Sequence, residues 1–373
     1  MISLQNLDKQ QKGFEYPHTH YTKEFPSSFK MNMNKNTKQH SQDSPPLITF
    51  SVFHSPSNKM SATVSGRCDF NCEEACEKLK NAMDGLGTNE EDIIEVLVTH
   101  NCEQRQEIKT QYKQAYGEDL IEDLKSELSG NLEDVIVALF DSPREFDVHE
   151  IHRAIACMGT DESTLIEILV TRTNEEIEEI KAKYEEEYEV SMEDDISSDT
   201  SGYFRRLMVS LCTASRDNDW WPDADKAAED AQKLFDDGEG QLGTDECTFN
   251  SILCTRTLPQ LRATFEAYQE LAGHSLREAV ESETSGAVQE GYLAIIDAAT
   301  NLTEYFAKLL HKSMSGAGTT DSALIRAIVS RSEVDLQDIK DEFQALYEKP
   351  LAEMVSNDCG GDYKSILLKV IGD

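Results

Sequence analysis

The chain contains no run of eighteen apolar residues, so it carries no candidate membrane-spanning helix. It also lacks a leader with a basic start, an apolar centre and a small-residue cleavage site. Together these absences predict a soluble protein whose contact with any membrane is peripheral. Positive charge is scarce: 35 Lys and Arg face 71 Asp and Glu, a formal charge of −36. Such a body repels phosphates, which excludes nucleic acid held by counterion release, and it draws divalent cations to its surface. The deficit is uneven. Residues 1–66 hold seven Lys, no Arg and four acids, a balance of +3 that leaves −39 for the remainder. No twelve-residue Asp-x-Asp-x-Asp-Gly loop, nucleophile elbow, phosphate loop or His–acid pair is present, which argues against an EF-hand and against an enzyme. The nine cysteines follow no even framework and read as reduced thiols. Cys68, Cys72 and Cys76 would share one helical face but lack a fourth zinc ligand, so packing is the default reading.

What is present is one signal repeated four times. Gly85-Leu86-Gly87-Thr88, Met158-Gly159-Thr160, Leu242-Gly243-Thr244 and Ala317-Gly318-Thr319 recur at threonine intervals of 72, 84 and 75 residues. Each is answered thirty-nine positions later by an acid: Glu127, Asp199, Glu283 and Asp358. An offset kept while the intervals vary predicts that turn and carboxylate meet in space in every repeat. Turns rich in backbone carbonyls, joined by one carboxylate, suit a hard cation with oxygen ligands, and Ca²⁺ fits that description. Ordinary helix-connecting turns would explain any one of these loops, but not four with acids at one offset.

Residues 1–66, rich in Gln, Asn, Ser, His, Lys and Pro without periodicity, read as a disordered tail. Met60 would serve as the start of a shorter product. From Phe70 the pattern is helical. Ala75, Leu79, Ala82 and Met83 form a stripe ending at Gly85, and Thr88 reads as the N-cap of a largely apolar second helix around Ile93, Ile94 and Leu97. Three more helices follow before Pro143, marked by Ile108 and Tyr112, by Leu120 and Leu124, and by Val135 to Phe140. The boundaries this predicts are repeats at 67–143, 144–214, 227–302 and 303–373, with a linker at 215–226. That linker would split the array into two pairs, with Trp220 and Trp221 packed on it or in the groove between pairs.

At this point residues from about 68 to 373 resemble an annexin. The strings that carry the resemblance are Met83-Asp84-Gly85-Leu86-Gly87-Thr88, Leu124-Lys125-Ser126-Glu127-Leu128-Ser129-Gly130, Glu281-Ser282-Glu283-Thr284-Ser285-Gly286 and Gly360-Gly361-Asp362-Tyr363. The resemblance implies an all-α fold of four five-helix repeats in a slightly curved disc, with calcium loops on the convex face and the tail on the concave one. It implies Ca²⁺ held by the carbonyls of Met83, Gly85 and Gly87 with Glu127, and by those of Met314, Gly316 and Gly318 with Asp358. Repeat three uses a variant loop, giving Gly238, Gln241 and Gly243 with Glu283. Repeat two gives Ile155, Cys157, Gly159 and Asp199, but Cys157 stands where a glycine belongs, so this site should be the weakest or empty.

Three carbonyls and a bidentate carboxylate supply five oxygens, while Ca²⁺ accepts six to eight. The open positions suit water or the oxygens of an anionic phospholipid. The function expected is therefore calcium-dependent binding to anionic membranes, with loop tips Leu86, Met158, Leu242 and Ala317 reaching the acyl boundary. Asp84, Ala156 and Ser315 stand where the family often has a lysine, which removes a headgroup-binding cation. The alternative is a calcium-regulated scaffold whose protein partner engages the tail or the 215–226 linker. The resemblance places the protein in the cytoplasm, peripheral on the plasma membrane or vesicles, with a cell-surface pool left open. Asp147, Glu150, Glu167, Arg172 and Arg331 match positions lining the family's central polar channel, and read as a hydrogen-bonded hub sooner than a conducting pore.

Overall fold

A computed structural model of the chain describes residues 61–85, 87–156, 159–219, 221–238, 246–316 and 318–373. Among these residues it holds twenty helices and no strand. Repeat one contains α1 (Cys72–Met83), α2 (Glu90–Thr99), α3 (Cys102–Tyr116), α4 (Leu120–Glu127) and α5 (Asn131–Phe140). Repeat two follows with α6 (Pro143–Ala156), α7 (Glu162–Thr171), α8 (Asn174–Tyr188), α9 (Met192–Asp199) and α10 (Gly202–Cys212). Repeat three has α11 (Ala224–Asp236), α12 (Glu246–Leu253), α13 (Leu258–Ala272), α14 (Leu276–Glu283) and α15 (Gly286–Thr300). Repeat four closes the chain with α16 (Leu302–Ser313), α17 (Asp321–Ser332), α18 (Leu336–Tyr347), α19 (Leu351–Asp358) and α20 (Gly361–Val370).

Local chemistry sets many of the ends. Asn101 and Gln104 form a capping box on α3, Thr173 and Glu176 one on α8, and Ser275 and Glu278 one on α14. The left-handed residues Gly117 and Gly273 end α3 and α13. Thr88 does not cap α2. Asn89 does, its side chain accepting from the Asp92 N–H. The second helix of a repeat is buried nearly all round, as its composition predicts: Ile93, Ile94 and Leu97, then Leu165 and Ile168, are fully excluded from solvent. Each such side chain contributes about 1.5–3 kcal/mol by burial.

Within each repeat the first helix packs on the third: α1 on α3, α6 on α8, α11 on α13 and α16 on α18. Between repeats, α7 and α10 pack on α15, and α10 also on α12, joining repeats two and three. Likewise α2 and α5 pack on α20, and α5 on α17, joining repeats one and four. The most extensive seams thus join two with three and one with four rather than the pairs the linker suggested, although α15 also packs on α16 between three and four.

The linker is anchored rather than free. Half-buried Arg216 donates to the carbonyls of Leu253 and Arg256 at 2.8 Å each, capping the end of α12, and the Asp217 N–H donates to the Thr255 carbonyl. Trp221 departs from expectation: it is 87% exposed and packs on nothing extensive. Trp220 lies outside the described residues. Of the stretch assigned to the tail by composition, residues 61–64 lie on repeat four and Gly66 lies beside Asn101 and Gln104 of repeat one. The Thr63 and Val64 N–H groups donate to the Ser332 carbonyl, the Gln337 N–H donates to Ser61, and Val64 is buried.

Candidate metal centre

Each of the four acids is the last residue of an eight-residue helix: Glu127 of α4, Asp199 of α9, Glu283 of α14 and Asp358 of α19. All four are exposed. A carboxylate at a helix C-terminus adds to the partial negative charge of the unsatisfied carbonyls there, which a cation would relieve.

In repeats one, two and four the loops facing these acids close in a common way. The Asn89 N–H donates to the Ala82 carbonyl at 2.8 Å, Asp161 to Ala154 at 2.9 Å, and Thr320 to Ser313 at 2.7 Å. The next carbonyl along belongs to Met83, Ile155 or Met314, the first cation ligand assigned in each loop. Met83 ends α1, Ile155 lies in the last turn of α6 and Met314 directly follows α16. Carbonyls at such positions lack an intrahelical donor. Between this carbonyl and the threonine the chain turns through left-handed glycines, with φ of 114° at Gly85 and 94° at Gly87, 99° at Gly159, and 142° and 118° at Gly316 and Gly318. A Cβ would meet nothing within 4 Å at any of them, so conformation rather than space calls for glycine.

Turn and acid do meet. Thr88 Oγ1 donates to Glu127 Oε2 at 3.0 Å, Thr160 Oγ1 to Asp199 Oδ2 at 2.6 Å, and Thr319 Oγ1 to Asp358 Oδ2. In repeat three, Gly238 and Glu283 line one narrow crevice with Phe249, Tyr268 and Val280. Gly238 is required there by space, since a Cβ would sit 2.8 Å from the Leu234 carbonyl oxygen. Of the assigned residues, Cys157, Gln241 and Gly243 lie outside the described residues, as do Leu86, Met158, Leu242, Thr244 and Ala317.

In repeats one, two and four a carboxylate stands beside a loop at the junction of two helix C-termini, a chemistry that fits a hard cation. Among the described residues no group of three or more His, Cys, Asp and Glu is placed to hold a metal, so a site of clustered side chains is not the alternative. Cys76 is buried, its thiol donating to the Ile108 carbonyl and pushed up to about 12 by burial, while Cys68 is exposed. Packing therefore accounts for Cys76.

The polar hub differs from the sequence reading in one member. Arg172 pairs with Asp147 through two bonds of 2.9 and 2.7 Å. Arg326 of α17, absent from that reading, reaches Glu167 at 2.7 Å and Glu150 at 3.2 Å, tying repeat four to repeat two. Burial alone would push its guanidinium down, but Glu167 and Glu150 more than reverse this. Burial also pushes the Glu150 carboxyl up. Arg331 instead pairs with Asp335, four residues on, and lies over the Phe306 ring. Three fully or largely buried charges thus pair across repeats, with Arg153 also on Glu150 and with Glu167 Oε1 left without a hydrogen-bond partner among the described residues. This is the signature of a structural tie.

Comparison with known proteins gives one family. The annexin family model matches four segments, residues 74–139, 146–211, 229–295 and 305–370. Human annexin A7 is 47% identical over 310 residues, covering 83% of this chain, and the chain spans 64% of that relative's length. Human annexin A13 is 46% identical over 310 residues, 83% of this chain and 98% of the relative. Among solved structures, chicken annexin V superposes with a TM-score of 0.80 at 43% identity, covering 84% of this chain and 99% of its own. Calcium-bound annexin (Sm)1 gives 0.74 at 32% identity, covering 84% and 93%.

Proposed function

Because this chain belongs to the annexin family, we propose that it binds anionic phospholipid membranes in a calcium-dependent manner, each loop and its acid holding a Ca²⁺ that the lipid headgroup completes. The observation that carries the reading is the hydrogen bond joining loop threonine to acid across thirty-nine residues in repeats one, two and four. It places a carboxylate beside a glycine turn at the converging ends of two helices. A calcium-bound structure of the similar annexin (Sm)1 supports the choice of ion.

The residues proposed as ligands are the carbonyls of Met83, Gly85 and Gly87 with Glu127, those of Gly238, Gln241 and Gly243 with Glu283, and those of Met314, Gly316 and Gly318 with Asp358. Ile155, Cys157, Gly159 and Asp199 form the weakest set. An ion beside Asp199 at the occupancy of the Glu127 site in calcium-soaked crystals would contradict that ranking. One formal negative charge per loop gives weak sites alone, nearer the ~10⁻⁴–10⁻³ M end of the range. Lipid oxygens completing the shell raise the apparent affinity, and engagement of several loops adds avidity. The strongly negative chain repels an anionic surface without the ion, which sharpens the dependence on calcium.

No described helix is long and apolar enough to cross a membrane, which supports a peripheral mode of attachment. We place the protein in the cytoplasm, on the plasma membrane or vesicles, without enzymatic activity or nucleic-acid partner. The exposed Trp221 favours a second reading, a protein partner docking at the linker as on a calcium-regulated scaffold. Co-sedimentation with phosphatidylserine vesicles separates the two. Pelleting only with Ca²⁺ is expected, and a chain that stays in the supernatant at saturating calcium would leave the scaffold reading.

A further inference from the structure

We propose that Thr88, Thr160 and Thr319 are positioning residues that hold each loop's carboxylate in place before the cation arrives, an inference that rests on the calcium reading above. A threonine that opens a helix ordinarily spends its hydroxyl capping the first turn. In repeats one and two that task falls to its neighbour: the Asn89 side chain accepts from the Asp92 N–H and the Asp161 side chain from the Thr164 N–H, while in repeat four Thr320 is the N-cap and makes no side-chain cap bond. The threonine hydroxyls turn to the acids instead, and they do so in all three loops where the threonine is described. Thr160 Oγ1 also lies 3.1 Å from the Asp199 carbonyl oxygen, gripping the acid at two points.

The acids need such a hold. They are exposed, at helix ends whose dipoles repel them. A carboxylate oxygen has two lone-pair directions, so Glu127 Oε2 can accept from Thr88 on one side and face a cation on the other. The hydroxyl thus selects the rotamer in which the carboxylate faces the loop. Partners of this kind, one bond removed from the metal, typically change metal affinity by about 10–100-fold when lost.

The test is calorimetric calcium titration of the full chain and of Thr88→Val, Thr160→Val and Thr319→Val, singly and combined. Thr→Ala and Thr→Ser series run in parallel. Loss of all three hydroxyls should weaken calcium binding by about tenfold, the low end of that range because the sites are exposed. Serine should restore it. In the calcium-free protein, ¹³C relaxation of the Glu127, Asp199 and Asp358 carboxyl groups should show greater motion in the valine and alanine series and wild-type motion in the serine series. Alanine adds no bulk, so it reports on the hydroxyl even where valine disturbs the loop. If Glu127→Gln and Asp358→Asn reduce calcium uptake while valine and alanine leave both affinity and carboxyl motion unchanged, the sites stand and the positioning role is overturned. A wild-type chain that takes up no calcium overturns both.

Discussion

At Glu127 and Asp358 a single charge decides what the loop can hold. Every other assigned ligand in those loops is a backbone carbonyl, so Glu127→Gln and Asp358→Asn remove the only negative charge while keeping side-chain shape. Each substitution should weaken calcium-dependent vesicle binding by about tenfold or more, roughly 1.4 kcal/mol, with helicity by circular dichroism unchanged. Overlaying binding curves would remove these acids from the site. The partners of Glu127, Asp199 and Asp358 were legible in the sequence because the offset of thirty-nine is constant. The manner of the meeting was not. Thr88 looks like an N-cap because threonine favours that position, and only the Asn89 side chain on the Asp92 N–H shows that the role has moved one residue along.

Elements impose constraints that no local pattern reveals. Arg326 sits in the apolar second helix of repeat four, and its partners Glu167 and Glu150 are 159 and 176 positions away. Nothing nearby in sequence distinguishes it from Arg331, whose acid is four residues on. Arg326→Ala would strand the buried Glu167 carboxylate of α7 and leave Glu150 of α6 to Arg153 alone. It should cost about 3–5 kcal/mol, seen as an earlier urea midpoint. An unchanged midpoint would mean that water already satisfies the hub.

His149 of α6 makes a titratable tie between the end of α5 and α8. His149 lies between Asp141 at the end of α5, 2.7 Å away, and Glu187 of α8, at 3.1 Å. The hydrogen bond to Asp141 raises its pKa above the usual histidine value; burial opposes this and Glu187 adds to it. The folded state therefore binds the proton more tightly than the unfolded chain. The resulting stabilisation is full below about pH 6.5, the unfolded value, and is lost as pH rises through the raised folded value. With the imidazole partly exposed, the effect should stay at or below about 1 kcal/mol. His149→Gln should flatten the pH dependence of the melting temperature across that window. A variant that keeps the wild-type slope would exclude this histidine as its source.

Across the whole molecule, the all-helical class and the four repeats could be read from periodicity and turn spacing, but the partnership of repeats could not. Linker length suggested sequence neighbours, whereas the buried seams join repeat two with three and one with four. The root of the tail belongs to the second of these pairs. Ser61 to Val64 bond to repeat four, and Arg67 exchanges hydrogen bonds with Gln104 of repeat one. Composition concealed this, because one buried valine among small polar residues makes no pattern. A chain starting at Met60 should match the full chain in stability and in the calcium needed for vesicle binding. One starting at Cys68 should lose about 1.5–3 kcal/mol with Val64, read as a lower melting temperature. Loss of vesicle binding at saturating calcium in the Met60 chain would instead make the tail the membrane-binding element.

The central claim is that protein and lipid share each calcium ion, and it makes calcium affinity a property of both. Calcium binding by the full chain, measured by equilibrium dialysis with and without phosphatidylserine vesicles, tests this most directly. The account expects weak binding alone, near ~10⁻⁴–10⁻³ M, and tightening of at least about tenfold when vesicles are present. Identical affinities with and without vesicles would contradict it, because the lipid would then supply no ligand to the ion.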